Sequence, residues 1–181
     1  MNAVTATHKD LAMQISMYQA CVPTFIHTLK NLKSILQKGI AYAEARQFDP
    51  TILAGARLFP DMLPLTRQVQ IASDAAKFAV ARLGDIEAPK FEDDETTMPE
   101  LIERVGKTIA YLESVKPEQI DGSEDRTITL KTRNETFTCP GLIYLRHWAL
   151  PNFFFHVTTA YALLRHNGVE IGKADFIGRF V

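Results

Sequence analysis

Asn152 and His156 stand four residues apart in a segment that is otherwise apolar, Trp148-Ala149-Leu150-Pro151-Asn152-Phe153-Phe154-Phe155-His156. On a helix that spacing turns both side chains to one face, where they form a polar pair able to reach into a core or pocket. Two histidines so placed would clamp a metal ion. An asparagine in one position offers only a neutral carboxamide, a weak donor to zinc or nickel beside imidazole. The spacing marks a site, and the residue types weaken its metal chemistry. The structural alternative is a buried polar pair that satisfies backbone freed by Pro151, whose ring has no N–H to return to residue 147.

Other side chains compete less well. Asp61 sits between two prolines near a helix start and reads first as a cap or turn carboxylate. Tyr18 can offer a phenol from the first helix to the same pocket, or simply pack. His166 lies about 15 Å along a continuous helix from His156, too far to share an ion. His147, nine residues before His156, falls on the opposite face if the helix is unbroken. His8 and His27 come from elsewhere and read as surface or satisfied histidines. No Ser/His/Asp order, glycine-rich phosphate loop or Cys/His pairing stands out. Cys21 has no positive neighbour in sequence to lower its pKa.

Four apolar stripes must position these groups. From about Leu11 to Arg46, Phe25, Leu29, Leu32, Leu36 and Ala43 recur at helical spacing, with Pro23 either starting this helix or kinking it. Asp49-Pro50 reads as a cap and first-turn proline of a short helical piece through about Ala56. After Phe59-Pro60-Asp61-Met62-Leu63-Pro64, a second stripe follows with Leu65, Val69, Ala72, Ala76, Ala79 and Leu83, and its alanines predict close helix approach. Residues 84–97 form a linker whose acidic run, Glu92-Asp93-Asp94-Glu95, reads as a solvated loop entering a helix N-terminus. The third helix spans about Pro99 to Val115, capped at Thr97 or Met98, with Leu101, Ile102, Val105, Ile109 and Leu112 inward. Residues 127–132 and 135–138 alternate by two around Arg133-Asn134, a β-hairpin pattern. A fourth helical region runs from about Gly141 to Asn167, interrupted at Pro151 and closed by Asn167-Gly168. Residues 172–181 show no strong period. A four-helix bundle with a hairpin before its last helix is the economical way to bury four stripes together. Phe153, Phe154 and Phe155 cannot all face one core, so at least one is expected on another surface, a homodimer interface being the natural candidate.

The 181 residues suit one domain, 1–181, and 46% hydrophobic with 23% charged residues is an ordinary globular composition. A net charge of -1 without a basic stripe argues against nucleic acid as a partner. No apolar run is long enough to span a bilayer, and the N-terminus carries no signal-like stretch. Cys21 and Cys139, far apart and outside any motif, suit a reducing compartment, so the cytoplasm is expected.

Ser16-Met17-Tyr18-Gln19-Ala20, Pro60-Asp61-Met62-Leu63-Pro64-Leu65, Leu150-Pro151-Asn152-Phe153-Phe154-Phe155-His156 and His166-Asn167-Gly168-Val169 resemble an uncharacterised bacterial family, a domain of unknown function, over nearly the whole chain. That family is similar to the DinB/YfiT-like superfamily of metalloenzymes. The resemblance implies an all-α, DinB/YfiT-like four-helix bundle of the up-down-down-up type, often dimeric. In better-known members three histidines hold a divalent metal, and some transfer low-molecular-weight thiols onto electrophiles. Carried over by position, the resemblance puts Gln70, within Gln70-Ile71-Ala72-Ser73-Asp74, in the place of the first histidine, to within a residue or two. Asn152 and His156 take the other two. One imidazole in three predicts no tightly bound metal, with zinc or nickel on His156 as the alternative. Three functions follow in order: a small-molecule-binding bundle with a degenerate metal site; a metal-dependent enzyme of the thiol-transferase type; and a dimeric structural or interaction protein.

Overall fold

The four stripes become four long helices. A computed structural model describes residues 15–131 and 135–179. Its elements in chain order are α1 (Met17–Ala45), α2 (Thr51–Ala54), α3 (Leu65–Gly84), α4 (Met98–Ser114), α5 (Pro117–Ile120), β1 (Thr127–Lys131), β2 (Thr136–Pro140), α6 (Gly141–Tyr144), a π-helical turn (Leu145–Ala149), α7 (Leu150–His166) and α8 (Lys173–Ile177).

Capping fixes where the helices begin. The Ser16 hydroxyl accepts from the Gln19 N–H, and the Gln19 side chain accepts from the Ser16 N–H. Thr97 and Glu100 repeat this reciprocal pairing at α4. Pro23 neither starts nor ends α1, which continues through it with the proline exposed. Asp49 accepts from the Thr51 N–H at 2.8 Å and so starts α2. His8 and the turn residues Arg133 and Asn134 lie outside the described residues.

Three sets of contacts give the directions. Lys30 pairs with Glu113 at 2.8 Å and Gly39 lies against Met98, so α1 and α4 are antiparallel. Phe25 meets Phe153 edge-on at 4.9 Å and Gly39 lies against Leu164, so α1 and α7 are parallel. Gln68 bonds His156 and Arg82 bonds Tyr144, so α3 and α7 are antiparallel. With α1 taken as up, the order is up-down-down-up, as the resemblance implied. Phe25, Leu29, Leu32 and Leu36 of α1, Val69, Ala72 and Ala76 of α3, and Leu101 and Leu112 of α4 are fully buried in one cluster.

The hairpin pairs Ile128 with Cys139 and Leu130 with Phe137 in antiparallel register, and Ile128 and Leu130 are buried. It delivers the chain to Gly141. A Cβ there would overlap the Ser123 carbonyl oxygen, so only glycine lets the chain enter α6 at this point. The period-free tail holds one helix, α8. Its end is tied to α1 by the Asn31 amide, which donates to the carbonyls of Phe176 and Ile177 at 3.1 and 3.0 Å.

Among the described residues no helix is long and apolar enough to cross a membrane.

Candidate functional site

Pro151 has no backbone donor, and the chain accommodates it with a π-turn rather than a break. The Leu150 N–H reaches the Leu145 carbonyl, five residues back. Four residues of α-helix overshoot a full turn by about 40°. The wider π-turn checks that drift, and Tyr144, Trp148 and Asn152 line one groove against α3. His156 follows one turn further along.

The facing wall is a second stripe on α3, beside its core stripe. Ile71, Asp74, Ala75, Phe78 and Arg82 line it, with Tyr144, Trp148, Ala149 and Asn152 opposite, around a cleft of about 210 Å³. Phe137 of β2 holds the Trp148 indole edge-on at 5.4 Å, so the hairpin steadies this wall.

Gln68 and His156 sit one turn beyond the residues that line the cleft, on α3 and α7. The Gln68 Nε2 donates to the Leu63 carbonyl at 3.1 Å, which turns Oε1 toward His156. The His156 Nδ1 lies 2.7 Å from that oxygen and must donate to it, leaving Nε2 as the nitrogen with a free lone pair. Burial pushes the His156 pKa below its ordinary value, so the ring is neutral near pH 7. The Asn152 amide has no hydrogen-bond partner among the described residues and stays available to whatever enters the cleft.

Gln70 does not reach this groove. Two residues beyond Gln68 on a helix, it points elsewhere: its Nε2 donates to the Glu95 carboxylate at 2.9 Å and its Oε1 accepts from Arg67 at 2.7 Å. Gln68 occupies the position facing His156. Tyr18 donates its backbone N–H to Asp121 and does not line the cleft. Asp61 is an exposed turn residue, and Pro64 precedes α3. His147 and His166 are exposed, and the His27 ring lies against the Ile177 carbonyl.

The donor set does not suit three-point metal coordination. The Gln68 oxygen is spent on the His156 N–H, which leaves one imidazole nitrogen and one carboxamide. Among the described residues no group of three or more His, Cys, Asp or Glu side chains is arranged to hold a metal ion.

Behind the α3 wall lies a charge cluster. Lys77 and Arg104 are each 1% exposed. Lys77 bonds Asp74 at 2.8 Å between the rings of Phe78 and Phe91. Arg104 holds Asp74 and Asp93 at 2.9 Å and Glu95 at 3.0 Å. The acidic run is therefore only partly a solvated loop. Glu95 turns inward and Asp93 reaches Arg104 from the surface, because a buried guanidinium must be paired.

Residues 17–177 match the model of DUF1993, a domain of unknown function. The chain belongs to this family. The DUF1993 chain is also 40% identical to a DinB family member protein from Shewanella denitrificans, over 90% of this chain and 92% of that one, with a TM-score of 0.81. No curated protein matches it. The family match and the bundle agree with the resemblance read from residues 16–20, 60–65 and 150–156.

The sequence missed Gln68, Arg82 and Tyr144. A signal was present: Tyr144, Trp148, Asn152 and His156 continue one series at spacing four, and Gln68, Ile71, Ala75, Phe78 and Arg82 alternate three and four beside the core stripe.

Proposed function

We propose that this DUF1993 protein binds a small molecule in the α3–α7 groove and recognises it by hydrogen bonding, without a tightly held metal. The observation that carries the reading is the cleft of about 210 Å³ between α3 and α7, lined by Arg82, Tyr144 and Asn152, with the Gln68–His156 bond fixing the next polar pair along α7. The unpaired Asn152 amide, one turn away, adds donors and an acceptor beside an aromatic-lined cleft. Convergent polar groups beside apolar and aromatic surface in a concave cleft are the usual form of such a site. The test is a fragment screen in EDTA, read on the fluorescence of Trp148. Saturable binding that survives the chelator and is lost in Asn152→Leu supports the reading; hits that need added metal oppose it.

Metal-dependent thiol transfer is the second reading, favoured by one detail. A carbonyl on the Nδ1–H is also how proteins orient a histidine that ligates metal through Nε2. For assembly we propose a homodimer, since Phe155 is 58% exposed beside an open apolar trough lined by Leu58, Met62 and Thr158. For location we propose the cytoplasm, on the strength of two free cysteines.

A further inference from the structure

The groove's charge balance narrows the ligand. The cluster behind the α3 wall is self-neutral, with three cations (Arg67, Lys77, Arg104) against three carboxylates (Asp74, Asp93, Glu95). Asp74, the one acidic group lining the cleft, is thus already matched by two buried cations. Arg82 is different. It lines the cleft, is exposed, and makes no ion pair among the described residues. Its guanidinium lies 5.4 Å from the Phe78 ring centroid and 5.8 Å from that of Tyr144, and its Nη1 donates to the Tyr144 hydroxyl at 3.0 Å. Because that oxygen accepts from Arg82, the phenol's own proton is free for another acceptor. Burial raises the Tyr144 pKa despite the neighbouring Arg82, so that proton is retained at neutral pH.

The polar groups left unmatched at the cleft are therefore mainly donors: the remaining N–H groups of Arg82, the Tyr144 O–H and the Asn152 amide. Phe78 and Trp148, 38% and 41% exposed, flank them with apolar surface. We infer that the ligand is a small organic carboxylate, its anionic head on Arg82 and Tyr144 and a flat apolar body between Phe78 and Trp148. This rests on the groove being a small-molecule site. A single uncompensated guanidinium matches a monoanion, and a cleft of about 210 Å³ suits a compact one.

The test is a titration in EDTA with benzoate, its neutral counterpart benzamide, and phenyl phosphate. It is read on the fluorescence of Trp148, the chain's single tryptophan. Benzoate should bind about tenfold tighter than benzamide, the worth of one charge-assisted hydrogen bond. Arg82→Gln should abolish that preference by weakening benzoate about tenfold more than benzamide, and an unchanged thermal unfolding midpoint checks that the fold is intact. Arg82→Lys, which keeps the charge but loses the fork, should retain part of it. Benzoate no tighter than benzamide, or indifferent to Arg82→Gln, overturns the carboxylate inference while the groove reading stands. Phenyl phosphate tighter than benzoate overturns it in favour of a phosphate monoester. If none of the three saturates, the carboxylate inference falls, and the fragment screen decides the groove reading separately.

Discussion

Gln68 and His156 lie 88 positions apart in sequence and are joined side chain to side chain at 2.7 Å, across the antiparallel pair α3 and α7. The bond fixes which imidazole nitrogen carries the proton. In ¹⁵N-resolved NMR the neutral His156 ring should be the Nδ1–H form and should titrate below the ordinary 6.5, because burial disfavours its charged form. The unfolded chain then binds a proton that the native ring refuses. The contribution to stability is complete above about pH 6.5 and is lost as pH falls from there through the lower folded pKa. Gln68→Leu should leave Nδ1–H unpaired, cost about 1 kcal/mol in urea unfolding, and mix the tautomers. An unchanged tautomer in that variant would show that the Gln68 oxygen does not set it.

Removing the Arg104 guanidinium should be among the most damaging single changes. Arg104→Met leaves Asp74, Asp93 and Glu95 without their shared cation, one of them on the cleft wall. Denaturant unfolding should show a loss of about 3 kcal/mol. Lys30→Ala, which breaks an exposed pair with Glu113, should cost less than about 1 kcal/mol. Equal losses would mean the cluster is not the buried clamp its geometry indicates.

Acid should loosen the segment between α3 and α4. Burial alone would raise the Asp93 carboxyl, but the Arg67 hydrogen bond and the Arg104 charge outweigh it and hold it below the ordinary 3.8. Near and below that value the unfolded chain binds the proton first. The carboxylate's contribution is therefore whole above pH 3.8 and lost as pH falls through the lower folded value. Asp93→Asn should be less stable at neutral pH and should lose less on acidification. Hydrogen exchange of residues 90–97 against pH checks this.

The two cysteines should react unequally. Cys21 is fully buried and its thiol is pushed up to about 12 by burial. Cys139 is half-exposed on β2. Native protein should give one thiol to a disulfide reagent at neutral pH, and denatured protein two. Mass spectrometry should place the label on Cys139.

The bundle could be read from the sequence because burial is periodic: Phe25, Leu29 and Leu36, or Val69, Ala72 and Ala76, announce their faces by spacing alone. The site was only half visible. Asn152 and His156 share a helix, so their relation is local. Whether Gln68 or Gln70 meets His156 depends on the rotation of α3 against α7, and two residues turn a side chain to the opposite face. The pairing of the acidic run is hidden in the sequence for a related reason. Its partner, Arg104, lies on the next helix among apolar neighbours, and nothing in sequence shows that its guanidinium is buried. The short helices α5 and α8 span too few residues to carry a period.

In the function proposed, the α3–α7 groove serves a small molecule through hydrogen bonds rather than through a resident metal. Calorimetric titration of zinc and nickel into wild type and His156→Ala, with elemental analysis of the purified protein, tests it most directly. The expected result is no stoichiometric metal and no uptake at micromolar concentration in either form. One metal per chain in the wild type, lost in His156→Ala, would contradict it and return the protein to metal-dependent chemistry.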